Sequence, residues 1–162
     1  MDRRTLLASL AAAGAVALIP HDAFAAWARV ASGWPGTNGL TAAQLARIAG
    51  VADVILPRTD TPSASDVGVP AFVDVIVSEQ YTETDRGAFV ANLEQIDPAD
   101  IDRIEAIADR RSEPARTYWR LKELIVHGYF TSEPVMKNVL HFEIMPGKFD
   151  GAAPMPTAVA HG

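Results

Sequence analysis

The chain has four histidines and no cysteine, so its chemistry would have to come from imidazole, carboxylate or hydroxyl groups. A thiolate metal site and a cysteine nucleophile are both excluded. His127, His141 and His161 lie far apart in sequence, and none forms the paired His-Glu-x-x-His spacing that puts two ring nitrogens on one helix face. No Gly-x-Ser-x-Gly elbow presents a nucleophilic serine, and no Walker loop is available to cradle a phosphate. Gly33-x-x-Gly36-x-x-Gly39 has glycines at suggestive intervals, but no strand precedes it, so it reads as a flexible connector. Glu105 and Asp109 stand four apart on an expected helix, where two carboxylates repel mildly rather than act as a dyad. An independent acid–base enzyme would have to use carboxylates such as Asp60 or Asp66, which sit in a proline-rich loop.

The N-terminus carries a clearer signal. Arg3 and Arg4 precede an uncharged stretch of 14 residues from Leu6 to Ile19, and Pro20 closes it. A charged segment followed by a short apolar one is the layout of an export signal. Spanning a bilayer takes about 20 apolar residues, so a permanent transmembrane anchor is not expected. The arginine pair followed by Leu6 and Leu7 fits the twin-arginine class; the alternative is a general secretory signal with a coincidental pair. Ala23 and Ala25 supply the small side chains at −3 and −1 that place the cut after Ala25. The expected location is the periplasm. Losing residues 1–25 removes two basic and two acidic residues and leaves the net charge at −6. A mildly acidic surface without a basic cluster is unsuited to nucleic acid.

Chemistry at any site would have to be positioned by helices. The chain divides into a signal peptide at 1–25, a linker or arm at 26–39, a helical domain at 40–151 and an extended or disordered tail at 152–162. Gly33, Pro35, Gly36 and Gly39 punctuate the arm, and its Trp27 and Trp34 are read either as packing on the chain's own core or as docking on a partner. Thr41 and Gln44 form a capping box before Leu45, Ile48, Ala52 and Ile55 at helical spacing, with Pro57 as the stop. A polar loop follows to Val69, and Pro70 opens a helix with a Phe72, Val73, Ile76 and Val77 stripe. Thr82 or Thr84 caps a third helix carrying Phe89, Leu93 and Ile96, and Asp97-Pro98 opens a fourth with Ile101, Ile104 and Ala108. Ser112-Glu113-Pro114 starts a fifth, with Tyr118, Leu121, Leu124 and Ile125 inward and Gly128 as its stop. A short helical turn is expected over Val135–Leu140 and an extended piece over His141–Ile144. The fold class is all-α: a small bundle of about five helices with a loop-rich, extended C-terminal segment.

Three stretches carry a resemblance in the same order. They are Val54-Ile55-Leu56-Pro57-Arg58-Thr59-Asp60-Thr61-Pro62 with Gly68-Val69-Pro70-Ala71-Phe72; Leu121-Lys122-Glu123-Leu124 leading into Gly128-Tyr129-Phe130-Thr131-Ser132-Glu133; and Pro146-Gly147-Lys148-Phe149-Asp150-Gly151. From about Leu40 to Gly151 the chain resembles the gluconate 2-dehydrogenase subunit 3 family. The segment between Ile96 and Arg120 is shorter than is common in that family, and Ala152 stands where many members have a cysteine.

The resemblance implies a non-catalytic companion: a small subunit that binds, stabilises and exports a flavoprotein large subunit acting on gluconate, glucose or the 3-position of a glycoside. It implies FAD in that partner and none in this chain, a cytochrome c as an electron acceptor, and membrane association through partners. Carried over residue by residue, the interface candidates are Arg58 and Asp60, then Tyr129, Phe130 and Ser132, then Phe149 and Asp150. Each has an alternative role within the chain's own fold. An independent periplasmic enzyme and a freestanding binding or scaffold domain are the competing readings of the whole. The export reading has a direct check: with Arg3 and Arg4 both replaced by Lys, immunoblots of fractionated cells should show the protein retained in the cytoplasm, and undiminished export would exclude the twin-arginine class.

Overall fold

A computed structural model of the chain describes residues 23–33, 39–107, 109 and 111–142. Among them are seven α-helices and no strand. They are α1 (Ala23–Ala31), α2 (Ala42–Ile55), α3 (Val69–Gln80), α4 (Glu83–Leu93), a 3₁₀ turn (Pro98–Asp100), α5 (Ile101–Glu105), α6 (Ala115–Thr131) and α7 (Glu133–Asn138). The all-α expectation holds.

The capping signals work as the sequence suggests. Thr41 Oγ1 accepts from the Gln44 amide at 3.3 Å and Gln44 Oε1 accepts from the Thr41 amide at 2.8 Å, so two of the donors orphaned at the start of α2 are satisfied. Thr82 starts α4, its hydroxyl accepting from the Asp85 amide at 3.1 Å. Gly68 precedes α3 at φ +83°, a left-handed conformation that a side chain would strain, and Pro70 occupies the first turn, where its missing N–H costs nothing. The predicted stripes point inward: Phe72, Val73, Ile76 and Val77 of α3, Phe89 and Leu93 of α4, and Tyr118, Leu121, Leu124 and Ile125 of α6 are all buried. Burying each of the large aliphatic or aromatic side chains contributes roughly 1.5–3 kcal/mol.

Helix α3 is the centre of the bundle, with α1, α2 and α6 packed on it. The arm expected at 26–39 is corrected in its first part, because Ala26–Ala31 belong to α1. This helix ends through Gly33, at φ +67°, whose amide reaches the Val30 carbonyl at 3.1 Å. Gly33 is thus a helix terminator rather than part of a flexible connector. What fixes α1 is tertiary: Ala23 and Ala26 are each 1% exposed, and Trp27 stacks on Phe72 with ring centroids 5.2 Å apart. Trp27 Nε1 also donates to Thr131 Oγ1 at 3.1 Å, so this tryptophan packs on its own chain. Trp34 lies outside the described residues, as do Arg3, Arg4 and the tail.

Gly128 is the second correction. It does not stop α6, which runs on to Thr131. A Cβ at Gly128 would lie 2.7 Å from Phe72 Cδ1, closer than any real contact, so the glycine provides clearance for α3 against α6. Elsewhere α5 is only five residues long and ends at Glu105, so Glu105 and Asp109 never share a helix face. Gly128→Ala should therefore destabilise the protein by about 1–3 kcal/mol through overpacking, despite alanine's better helix propensity. Gly87→Ala, in exposed α4 with nothing within 4 Å of the new Cβ, should instead stabilise by up to ~1 kcal/mol. Urea unfolding of the two variants checks the opposite signs.

Candidate functional site

The loop between α2 and α3 is held from α2, from within itself and from α6. Ala64 N donates to the Leu56 carbonyl at 3.1 Å, and Val69 N to the Ala64 carbonyl at 3.1 Å, closing the loop at its base. Asp53 Oδ1 on α2 accepts from the Ser65 amide at 2.9 Å. Asp66 Oδ2 accepts from the Ser63 amide at 2.8 Å, and its other oxygen pairs with the Arg58 guanidinium. These bonds, the Ser63 amide foremost, hold the Asp66 carboxyl below its ordinary range.

Tyr129 completes the arrangement. Its hydroxyl donates to the Pro62 carbonyl at 2.9 Å, tying the end of α6 to a loop 67 residues earlier. The two stretches that the sequence resemblance named separately therefore meet in space. Phe130 packs edge-on to Tyr129, with centroids 5.3 Å apart, while remaining 45% exposed. Ser132, fully buried, donates to the Tyr129 carbonyl at 2.8 Å and begins α7. Tyr129 and Ser132 thus face the chain's own interior, and Arg58, Asp60 and Phe130 face solvent. The Asp60 carboxylate accepts from the Thr59 hydroxyl at 2.9 Å within the loop. Phe149 and Asp150 lie outside the described residues.

Further apolar exposure accompanies this region. Leu140 and Phe142, just beyond α7, are 47% and 55% exposed, and α7 packs back onto α6. Val54, near the end of α2, is 51% exposed. The sequence places a helical turn over Val135–Leu140, whereas α7 ends at Asn138, which leaves Leu140 and Phe142 beyond it.

Other polar clusters are braces. Glu105 Oε1 accepts from Lys122 Nζ at 2.6 Å and from the Tyr118 hydroxyl, while Lys122 lies 5.1 Å over the Trp119 ring. Burial, and then Glu105 itself, push the Tyr118 phenol upward, so it stays a donor. Asp74 Oδ1 accepts from the Leu40 amide at 2.7 Å, and Arg47 donates to the Ile96 carbonyl at 2.9 Å. His127 Nε2 is buried without a hydrogen-bond partner among the described residues, and desolvation holds the ring below its ordinary pKa. Among the described residues no group of three or more His, Asp or Glu side chains is placed to hold a metal ion, and no helix is long and apolar enough to cross a membrane. Thr41, Ala43, Gln44, Arg47 and Glu94 border a partly open depression.

Residues 42–104 match the family model described as gluconate 2-dehydrogenase subunit 3. The match supports the family read from the sequence. No curated protein and no solved structure matches the chain. The matched segment runs from α2 into α5, so it contains Arg58, Asp60 and the whole tethered loop. Tyr129 and Phe130 on α6, and Ser132 just after it, lie beyond it. That family is described as a dehydrogenase subunit, which is consistent with an oxidoreductase complex.

The Tyr129 tether is directly testable. Tyr129→Phe removes one hydrogen bond and should cost about 0.5–1.5 kcal/mol. Amide exchange of Ser63 and Ser65, measured by NMR, should rise more than exchange in α3, because the loop loses its link to α6 while the core keeps its packing.

Proposed function

We propose that this chain is a non-catalytic small subunit that binds, stabilises and co-exports a flavin-dependent sugar or glycoside dehydrogenase. The observation that carries the reading is the gluconate 2-dehydrogenase subunit 3 match over residues 42–104. The distribution of polar groups supports it: the carboxylates and hydroxyls of the described core close loops and brace helices, and the exposed apolar side chains Phe130, Leu140 and Phe142 suit contact with another protein.

FAD belongs to the partner in this reading. A flavin is inserted in the cytoplasm, so the loaded large subunit must cross the membrane folded, and the Arg3-Arg4 signal serves both chains. The complex works in the periplasm, held near the membrane by its partners, and passes electrons to an acceptor such as a cytochrome c. Gluconate, glucose or the 3-position of a glycoside is selected in the large subunit's pocket. Arg58 and Asp60 on the tethered loop, Phe130 on α6, and Phe149 and Asp150 beyond the described residues are the contacts assigned to the partner. Tyr129 and Ser132 support that surface from beneath.

Co-purification tests the proposal. The tagged chain, expressed beside its genomic neighbours, should bring down a yellow protein with a flavin absorbance spectrum. Phe130→Asp should keep the helical circular dichroism and bind that protein at least about tenfold more weakly, as loss of an aromatic anchor does. A flavoprotein that remains folded, exported and fully active after deletion of this gene would sink the reading.

A further inference from the structure

The bond expected to be cut by a signal peptidase, Ala25–Ala26, lies within the first turns of α1. A peptidase takes its substrate as an extended strand, in which residues two apart point the same way and enter neighbouring pockets. In a helix residues two apart point to nearly opposite sides. That is the arrangement here: Ala23, at −3, is 1% exposed in the core, whereas Ala25, at −1, faces solvent beside the 64% exposed Phe24. The residue after the bond, Ala26, is also 1% exposed. Immediately downstream the helix is fastened three times, by the Trp27 stack on Phe72, by Trp27 Nε1 on Thr131 Oγ1, and by Arg29 Nε on Glu79 Oε1 at 2.8 Å.

We infer that the folded bundle withholds Ala25–Ala26 from processing, so the leader is removed there only when α1 leaves its groove on α3 and α6. The setting rests on the twin-arginine reading given above. A chain threaded unfolded through a translocon would present this bond extended. A chain exported already folded delivers it as helix. Cleavage then tracks the population of chains with α1 undocked, as proteolysis of native proteins tracks local opening. Until then the uncharged stretch Leu6–Ile19 stays covalently joined to the bundle.

The test uses the purified full chain with its leader, incubated with purified signal peptidase in detergent micelles and followed by intact mass. A synthetic peptide of residues 16–33 provides the same bond without the fold. The peptide should lose residues 16–25, while the full chain should be cut at least about tenfold more slowly at that bond. Two full-chain variants, Trp27→Ala and the milder Thr131→Val, should speed the cut, the first more than the second. Cleavage of the full chain at the peptide's rate overturns the inference, and so does a peptide that is not cut, or folded variants cut no faster than the parent. None of these readouts involves transport, so failure of the export reading itself would appear separately, as undiminished export of the chain with Arg3 and Arg4 replaced by Lys.

Discussion

Everything in the bundle is referred to the close approach of α3 and α6 at Phe72 and Gly128. The phenyl ring occupies the space that a side chain at position 128 would need, and this lets the two helices come close together. The same ring receives Trp27 from α1, and His127 lies tilted against it at 6.4 Å. One buried aromatic therefore sets the spacing of three helices, and close-packed interiors transmit any change in its volume to all of them. It also explains why the N-terminal helix exists at all. A nine-residue helix is too short to persist by propensity, and α1 is held by what it packs on.

Much of the fold was legible because its signals are local. The Thr41-Gln44 box, the Thr82 cap, Pro70 in a first turn and the apolar stripes of α2 to α4 and α6 each act within a few residues, and the chain obeys them. The failures share a cause. Gly128 reads as a breaker because glycine weakens an isolated helix, yet here its lack of a Cβ is used against a ring 56 positions earlier. Residues 26–31 read as an arm because glycines and a proline follow them, and only Phe72 and Thr131 reveal why they are helical. Sequence periodicity carries no information about partners at that separation.

The candidate surface was legible in the same uneven way. The resemblance marked two stretches, around Arg58 and around Tyr129, without any physical statement that they touch; the Tyr129 hydroxyl on the Pro62 carbonyl supplies it. The carboxylates were harder still. Asp53, Asp66, Asp74 and Glu105 look on paper like part of a solvated acidic face, but each accepts hydrogen bonds that fasten a loop or a helix end. Charge counts describe their number and not their employment.

The loop from Pro57 to Val67 has one more property that follows from its tethers. Its backbone is fixed from α2 through Asp53, from within through Asp66 and from α6 through Tyr129, before any second protein arrives. Ordering a mobile side chain or loop on association ordinarily costs about 0.5–1.5 kcal/mol for each immobilised rotamer-rich group. Here the backbone part of that cost has been met during folding. A neighbour docking on this rim, as proposed, would meet a preset template rather than a segment that must first choose its shape, and such rims discriminate among neighbours by fit.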